Sequence, residues 1–244
     1  MFETKEQEEV CNVRVLCLGR TTDEWKKLPQ GAESLLLVGD PMDTSTWKEA
    51  VDVCFVIADG KEKGAVEEAK SVIEELKKKN VLVIPSLITC DAVELGVPTF
   101  FINQDKYSDK KEIYEIIYTA SESVKSIVSE PGVVDLDLKD LRDVCQCGER
   151  LIMTRAETDG ENAARQACIK AMEKVTAELE ELGPKKGVLL NVVGSEDNLS
   201  MMEVCEASEV LMDKLGDEKC NIIWGAAVDN NLGEKVAVSI IIAG

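Results

Sequence analysis

Gly187-Val188-Leu189-Leu190-Asn191-Val192-Val193-Gly194 is a strand-length apolar run between two glycines, and the segments flanking it set the architecture of the second half of the chain. It predicts a strand over 188–193. Downstream, Ser200 followed by Glu203 is a capping-box spacing, in which hydroxyl and carboxylate each satisfy an orphan backbone N–H at a helix start. Val204, Cys205, Ser208, Leu211 and Leu215 then recur at helical spacing, and Gly216 supplies the stop. Two strands are expected over 222–228 and 236–243, around the turn Asp229-Asn230-Asn231-Leu232-Gly233. Upstream, 151–154 reads as a strand, and Thr158 with Glu161 repeats the capping spacing. One helix is expected from there to about Leu182, burying Ala164, Cys168, Ala171, Met172, Val175 and Leu179 before Gly183-Pro184. The second half therefore reads as a compact α+β unit, expected to fold alone.

Further upstream the pattern changes. The runs 13–18, 34–38, 53–58, 81–84 and 99–102 are short, apolar and rich in β-branched residues, as strands buried on both faces of a parallel sheet are. Ala65, Ala69, Val72, Ile73 and Leu76 make a crossover helix, ending in Lys77 to Lys79 where the helix dipole favours cations. Trp47, Ala50 and Val51 suggest a shorter helix after Pro41. Ile113, Ile116, Ile117, Ala120, Val124 and Ile127 predict a long connecting helix over 110–128, stopped by Pro131-Gly132.

Composition narrows function by exclusion. The 244 residues are 45% hydrophobic and 31% charged, a folding composition, with 28 Lys plus Arg against 47 Asp plus Glu. A net charge of -19 repels phosphate backbones and anionic lipid, so neither nucleic acid nor membrane is an expected partner. The acidic N-terminus, Met1 to Val10, is unlike a secretory signal, and a cytoplasmic location is expected. The absence of histidine removes the commonest general base and zinc ligand. Nine cysteines, Cys11, Cys17, Cys54 and Cys90 among them, sit mostly in apolar runs and read as buried thiols rather than a disulfide framework. Cys145-Gln146-Cys147 is too closely spaced and too isolated for a tetrahedral metal site.

The second half resembles the C-terminal domain of the FtsZ family, the bacterial homologues of tubulin. The resemblance rests on Gly187 to Gly194, Leu199-Ser200-Met201-Met202-Glu203-Val204 and Asn221-Ile222-Ile223-Trp224-Gly225-Ala226-Ala227-Val228-Asp229. Pro131-Gly132-Val133-Val134-Asp135-Leu136-Asp137-Leu138-Lys139-Asp140-Leu141 is similar to that family's synergy loop, and Gly160-Glu161-Asn162-Ala163-Ala164-Arg165 to the helix start that follows. The implied fold is α/β and FtsZ/tubulin-like. It comprises a shortened, parallel-sheet, Rossmann-like domain over 1–108, a connecting core helix over 109–130 and an α+β domain over 131–244 with a mixed four-stranded sheet. The family's flexible partner-binding tail would begin beyond Gly244.

The first half departs from the family. FtsZ and tubulin cradle nucleotide phosphates with two glycine-rich loops, where missing side chains let backbone N–H groups approach the anion. Here the first loop reads Leu18-Gly19-Arg20-Thr21-Thr22-Asp23 and the second Ala58-Asp59-Gly60-Lys61-Glu62-Lys63-Gly64-Ala65. The interval between them is about half the family's usual length. Positions that would meet the base fall near Lys110 and Tyr114, not the family's Phe and Asn or Asp. Gly19, Asp59, Gly60 and Gly64 thus read as degenerate nucleotide loops, with a tight strand-to-helix turn as the alternative for Asp59, Gly60 and Gly64. Asp135, Asp137 and Asp140 read as partner-facing acids, with a helix N-cap as the alternative for Asp137 and Asp140. The resemblance implies a GTPase-deficient protein with no cofactor, acting by contact with an FtsZ-like filament or with itself. A divergent nucleotide-binding GTPase around Gly19, Asp59 and Gly60, and a homo-oligomeric scaffold, are the alternatives.

Overall fold

Four apolar runs of the first half pair side by side as parallel strands, because each is apolar on both faces and needs cover above and below. The computed structural model describes residues 11–244 except 30, 38, 41, 48, 90–92, 130–131 and 217–219. Strands β1 (Val13–Cys17), β2 (Val53–Asp59), β3 (Leu82–Ile88) and β4 (Thr99–Ile102) form that sheet, with helix α3 (Ala65–Lys78) crossing between β2 and β3. Val72 and Leu76 of α3 are completely buried on one face of the sheet. On the other face lies α4 (Lys110–Ser129), whose Ile113, Ile117, Ala120, Val124 and Ile127 form one buried stripe. Burying each large aliphatic contributes about 2 kcal/mol, so this stripe pins α4 to the sheet.

The second half adds β5 (Gly132–Val134), α5 (Leu138–Cys145), β6 (Arg150–Asp159), α6 (Ala163–Lys174), α7 (Thr176–Leu182), β7 (Gly187–Gly194), α8 (Met201–Leu215), β8 (Asn221–Val228) and β9 (Lys235–Ala243). The expected four-stranded mixed sheet is β6-β9-β7-β8, extended at its edge by β5. It is continuous with the first sheet through Thr99↔Arg150 and Phe100↔Leu151, giving nine strands in the order β1-β2-β3-β4-β6-β9-β7-β8-β5. One apolar cluster runs from Val13 and Phe55 through the stripe of α4 to Leu141, Leu189 and Ile241. It therefore crosses both expected domain boundaries.

Several local expectations are corrected. The expected strand over 34–38 is helix α2 (Ala32–Leu35) followed by a single parallel bridge, Leu36 to Val15; Val38 lies outside the described residues. The hydroxyl of Ser34 donates to the Gly31 carbonyl at 2.6 Å, favouring the turn over the ladder. Among the described residues the expected helix at Trp47, Ala50 and Val51 is absent. Asp40 and Asp43 draw the backbone N–H groups of Met42 and Ser45 to their carboxylates, making turns and a short 3-10 helix, Thr44–Thr46. Thr158 does not cap a helix. It stays in β6, held by the ladder to β9 that extends to Asp159↔Lys235, and its hydroxyl donates to the Ala163 carbonyl. The long helix expected from there breaks at Val175 (φ −120°), where the Thr176 hydroxyl donates to the Met172 and Glu173 carbonyls. The turn after β8 joins no hydrogen-bonded neighbours, since β9 passes over β7 to lie between β7 and β6. Short β5 was not anticipated. Cys90, Pro41 and Pro131 lie outside the described residues.

Candidate functional site

The crevice beyond the carboxyl ends of parallel strands is where open α/β sheets bind ligands, and the chain brings Gly19, Asp59 and Gly60 together there, with Gly64 close by at the start of α3. After β1 the backbone turns at Gly19 (φ +55°) into the short helix α1 (Thr21–Trp25). After β2, the Asp59 carboxylate accepts the Lys61 N–H at 2.9 Å, closing an Asx turn, while its other oxygen stands 3.8 Å from the Lys110 ammonium. The Gly60 N–H donates to the Ile88 carbonyl at 2.8 Å; a Cβ at Gly60 would approach Thr89 to 2.9 Å, so the turn requires glycine. Gly64 (φ +85°) precedes α3 with open space around it.

The residue that sequence reasoning missed is Glu62. Its carboxylate accepts the backbone N–H of Arg20 at 3.1 Å and lies 4.0 Å from the Arg20 Nε. It stands directly over Gly19, where an added Cβ would come within 2.5 Å of its Oε2. A backbone amide of the first loop is therefore already engaged by an anion of the protein's own. Burial first, then the charges of Asp59, Cys17, Glu24 and Glu62, push the Tyr114 phenol up. The intrusion of acids into the second loop was the available signal. The partnership itself was not legible, because Arg20 and Glu62 are 42 residues apart.

The acidic loop lies by β5, at the opposite edge of the sheet from β1. The Gly132 N–H donates to Asp135 Oδ1 at 2.6 Å, curling the loop after α4. Asp137 Oδ1 accepts the Asp140 N–H at 2.8 Å, and Asp140 Oδ2 accepts the Asp137 N–H at 3.1 Å, a reciprocal capping box at the start of α5. Asp135 and Asp137 are exposed and Asp140 half-buried, beside Val133, which is 62% exposed. Leu136 packs against Gly225 of β8, where a side chain would collide with it, so the loop is seated on the sheet. The hydrogen bond from Lys139 to Asp143, at 2.7 Å, raises the lysine's pKa and ties it away from the capping acids. Among the described residues no cluster of three or more metal-ligating side chains exists, and no helix is long and apolar enough to cross a membrane.

A parallel-dominated sheet, a long helix across it and a capped acidic loop leading into an α+β half define a tubulin-like α/β protein. Residues 150–244 match the FtsZ family, C-terminal domain. Over 182 residues the chain is 28% identical to the cell division protein FtsZ of Magnetospirillum gryphiswaldense, covering 74% of this chain and 30% of that protein. The FtsZ of M. jannaschii, solved as an empty dimer, superposes with a TM-score of 0.66 at 17% identity, covering 97% of this chain and 89% of that one. CetZ2 from Haloferax volcanii, solved as a GTPγS-bound protofilament, gives 0.58 at 13% identity, covering 81% and 66%. Residues 150–244 thus match the FtsZ C-terminal domain, and the chain as a whole shares the fold of FtsZ and CetZ. It spans less than half the length of the curated relatives it matches.

Proposed function

We propose that this chain works by protein contact and not by a nucleotide cycle, as a cytoplasmic, GTPase-deficient FtsZ-like subunit that regulates or caps tubulin-like filaments. The observation that carries the reading is the carboxylate of Glu62 on the Arg20 N–H. A phosphate brought to the first loop would have to displace that carboxylate. Helix starts and glycine loops bind phosphate through free N–H groups, and in this crevice the N–H groups of Arg20, Gly60 and Lys61 are already engaged. The opposite edge is built differently. Asp135 and Asp137 stand exposed on a loop fixed by its own hydrogen bonds, an arrangement suited to reading a cation-bearing site on another subunit. A subunit with one competent face contacts one filament end and does not propagate it. CetZ2 has been solved as a GTPγS-bound protofilament, and an assembly of that kind is the partner the reading requires; a second copy of this chain is the other candidate.

The test is the effect of the purified chain on the length and GTP turnover of assembling FtsZ, beside Asp137→Asn/Asp140→Asn. Asn retains the oxygen acceptors that cap α5, so the fold is kept while the charge is removed. Shorter filaments with the unmutated chain, and a weaker effect of the double variant at an equal melting temperature, support the reading. No effect of the unmutated chain over a stoichiometric range defeats it for that partner. An equal effect of both proteins removes the aspartates from the contact.

A further inference from the structure

On the face of the sheet opposite α4, the segment joining β3 to β4 contains no helix among the described residues, whereas α3 covers β2 and β3. Parallel strands are normally buried on both faces. Here the outward side chain Phe101 of β4 is left half-buried on the floor of a cavity of about 680 Å³, a volume in the range of small-molecule sites. Leu95, Val97 and Pro98 make one wall, and α7 the other.

Two cations enter this cavity, and they are placed unlike one another. Lys106 is satisfied: its ammonium lies 2.8 Å from Glu178 and 3.7 Å from Glu181, and those contacts raise its pKa. Arg150 is not. Its guanidinium stacks on the Phe101 ring at 5.5 Å and approaches Glu181 only to 4.0 Å, beyond hydrogen-bond distance. Among the described residues its fork of donors makes no side-chain hydrogen bond. The remaining carboxylates of the lining, Glu94 and Glu149, are exposed at the rim, where water screens them.

We propose that this cavity is a binding site for a small amphiphilic monoanion, an apolar or aromatic carboxylate or sulfonate. The anionic group pairs with the planar fork of Arg150, and the apolar body lies on Phe101, Leu95, Val97 and Pro98. Arginine suits this role because its rigid donors match a carboxylate bidentately while its face stays on the ring. The acidic rim selects against polyanions such as nucleotides. The site lies on the opposite side of the sheet from α4 and is independent of the filament contact proposed above.

The test is a fluorescence titration of the full chain with anilinonaphthalene sulfonate and with N-phenyl-1-naphthylamine, which has the same rings without the sulfonate. One saturable sulfonate probe per chain is expected. Arg150→Gln weakens that probe roughly tenfold, the loss of one charge-assisted pair, and leaves the neutral probe unchanged; Phe101→Ala weakens both. The backbone of Arg150 keeps its bonds with Gly244 in the variant, so the β6 edge is preserved. Absence of a saturable sulfonate site, or equal binding of that probe by Arg150→Gln, overturns the proposal. Should that variant not fold, displacement of the bound sulfonate probe from the unmutated chain decides: 4-phenylbutyrate is expected to compete about tenfold better than 4-phenylbutyramide, and equal competition overturns the proposal.

Discussion

Asp137 caps α5 while its carboxylate remains exposed. Asp137→Ala removes the acceptor for the Asp140 N–H and is expected to destabilise the chain by about 1 kcal/mol, whereas Asp137→Asn costs a few tenths at most. Urea unfolding of the two variants checks this; equal losses would mean that the cap bond contributes nothing. The capping box was legible because its two residues are three apart, while Glu62 on Arg20 was hidden by sequence distance. Buried thiols give a second residue-scale prediction. Burial pushes Cys54 in β2 and Cys145 in α5 up to about 12, above the 9.0 of an unfolded thiol. The folded state thus holds these protons more tightly, and the associated stability is complete below pH 9 and lost as pH rises from 9 toward 12. The urea midpoint should fall over that interval, and fall less in Cys54→Ala measured against its own value at pH 8. A midpoint flat to pH 11 would contradict the assignment.

At the scale of elements, the strands and helices with continuous apolar patterns were legible: β1, β2, α3, α4, β7 and α8 lie where periodicity places them. The failures share a cause. At Ser34, Asp40 to Thr46, Thr158 and Thr176, short polar side chains bond to nearby backbone and redirect it, so the same residue types that signal a helix start also make turns and breaks. Helix α1 shows how a five-residue element survives. Trp25 is fully buried, its Nε1 donates to the Ala32 carbonyl at 2.9 Å, and its ring meets Tyr118 of α4 edge-on at 6.1 Å. Trp25→Ala is expected to destabilise the chain by about 3–5 kcal/mol, through the cavity and the orphaned carbonyl. Equilibrium urea unfolding reads the change; a loss below about 1 kcal/mol would show that α1 and α2 are not part of the core.

For the whole molecule, the two halves were legible as a parallel unit and an α+β unit, but their fusion into one sheet was not. Only two residue pairs join β4 to β6, and nothing in either strand's pattern announces a partner across the chain. The shared cluster under α4 predicts how fragments behave. A chain of 109–244 keeps the α4 stripe against Leu141, Leu189 and Ile241 and should melt cooperatively, whereas 131–244 exposes that face and should melt at a lower temperature. Equal melting temperatures would make the second half independent of the long helix. At the crevice beyond the strand ends the carboxylate of Glu62 stands on the first loop, where a nucleotide phosphate would have to sit. The most direct test is isothermal titration of the unmutated chain with GTP and magnesium. A dissociation constant no tighter than about 1 mM is expected, near 4 kcal/mol of binding free energy; a micromolar constant would contradict the loss of the GTP site and favour a divergent GTPase.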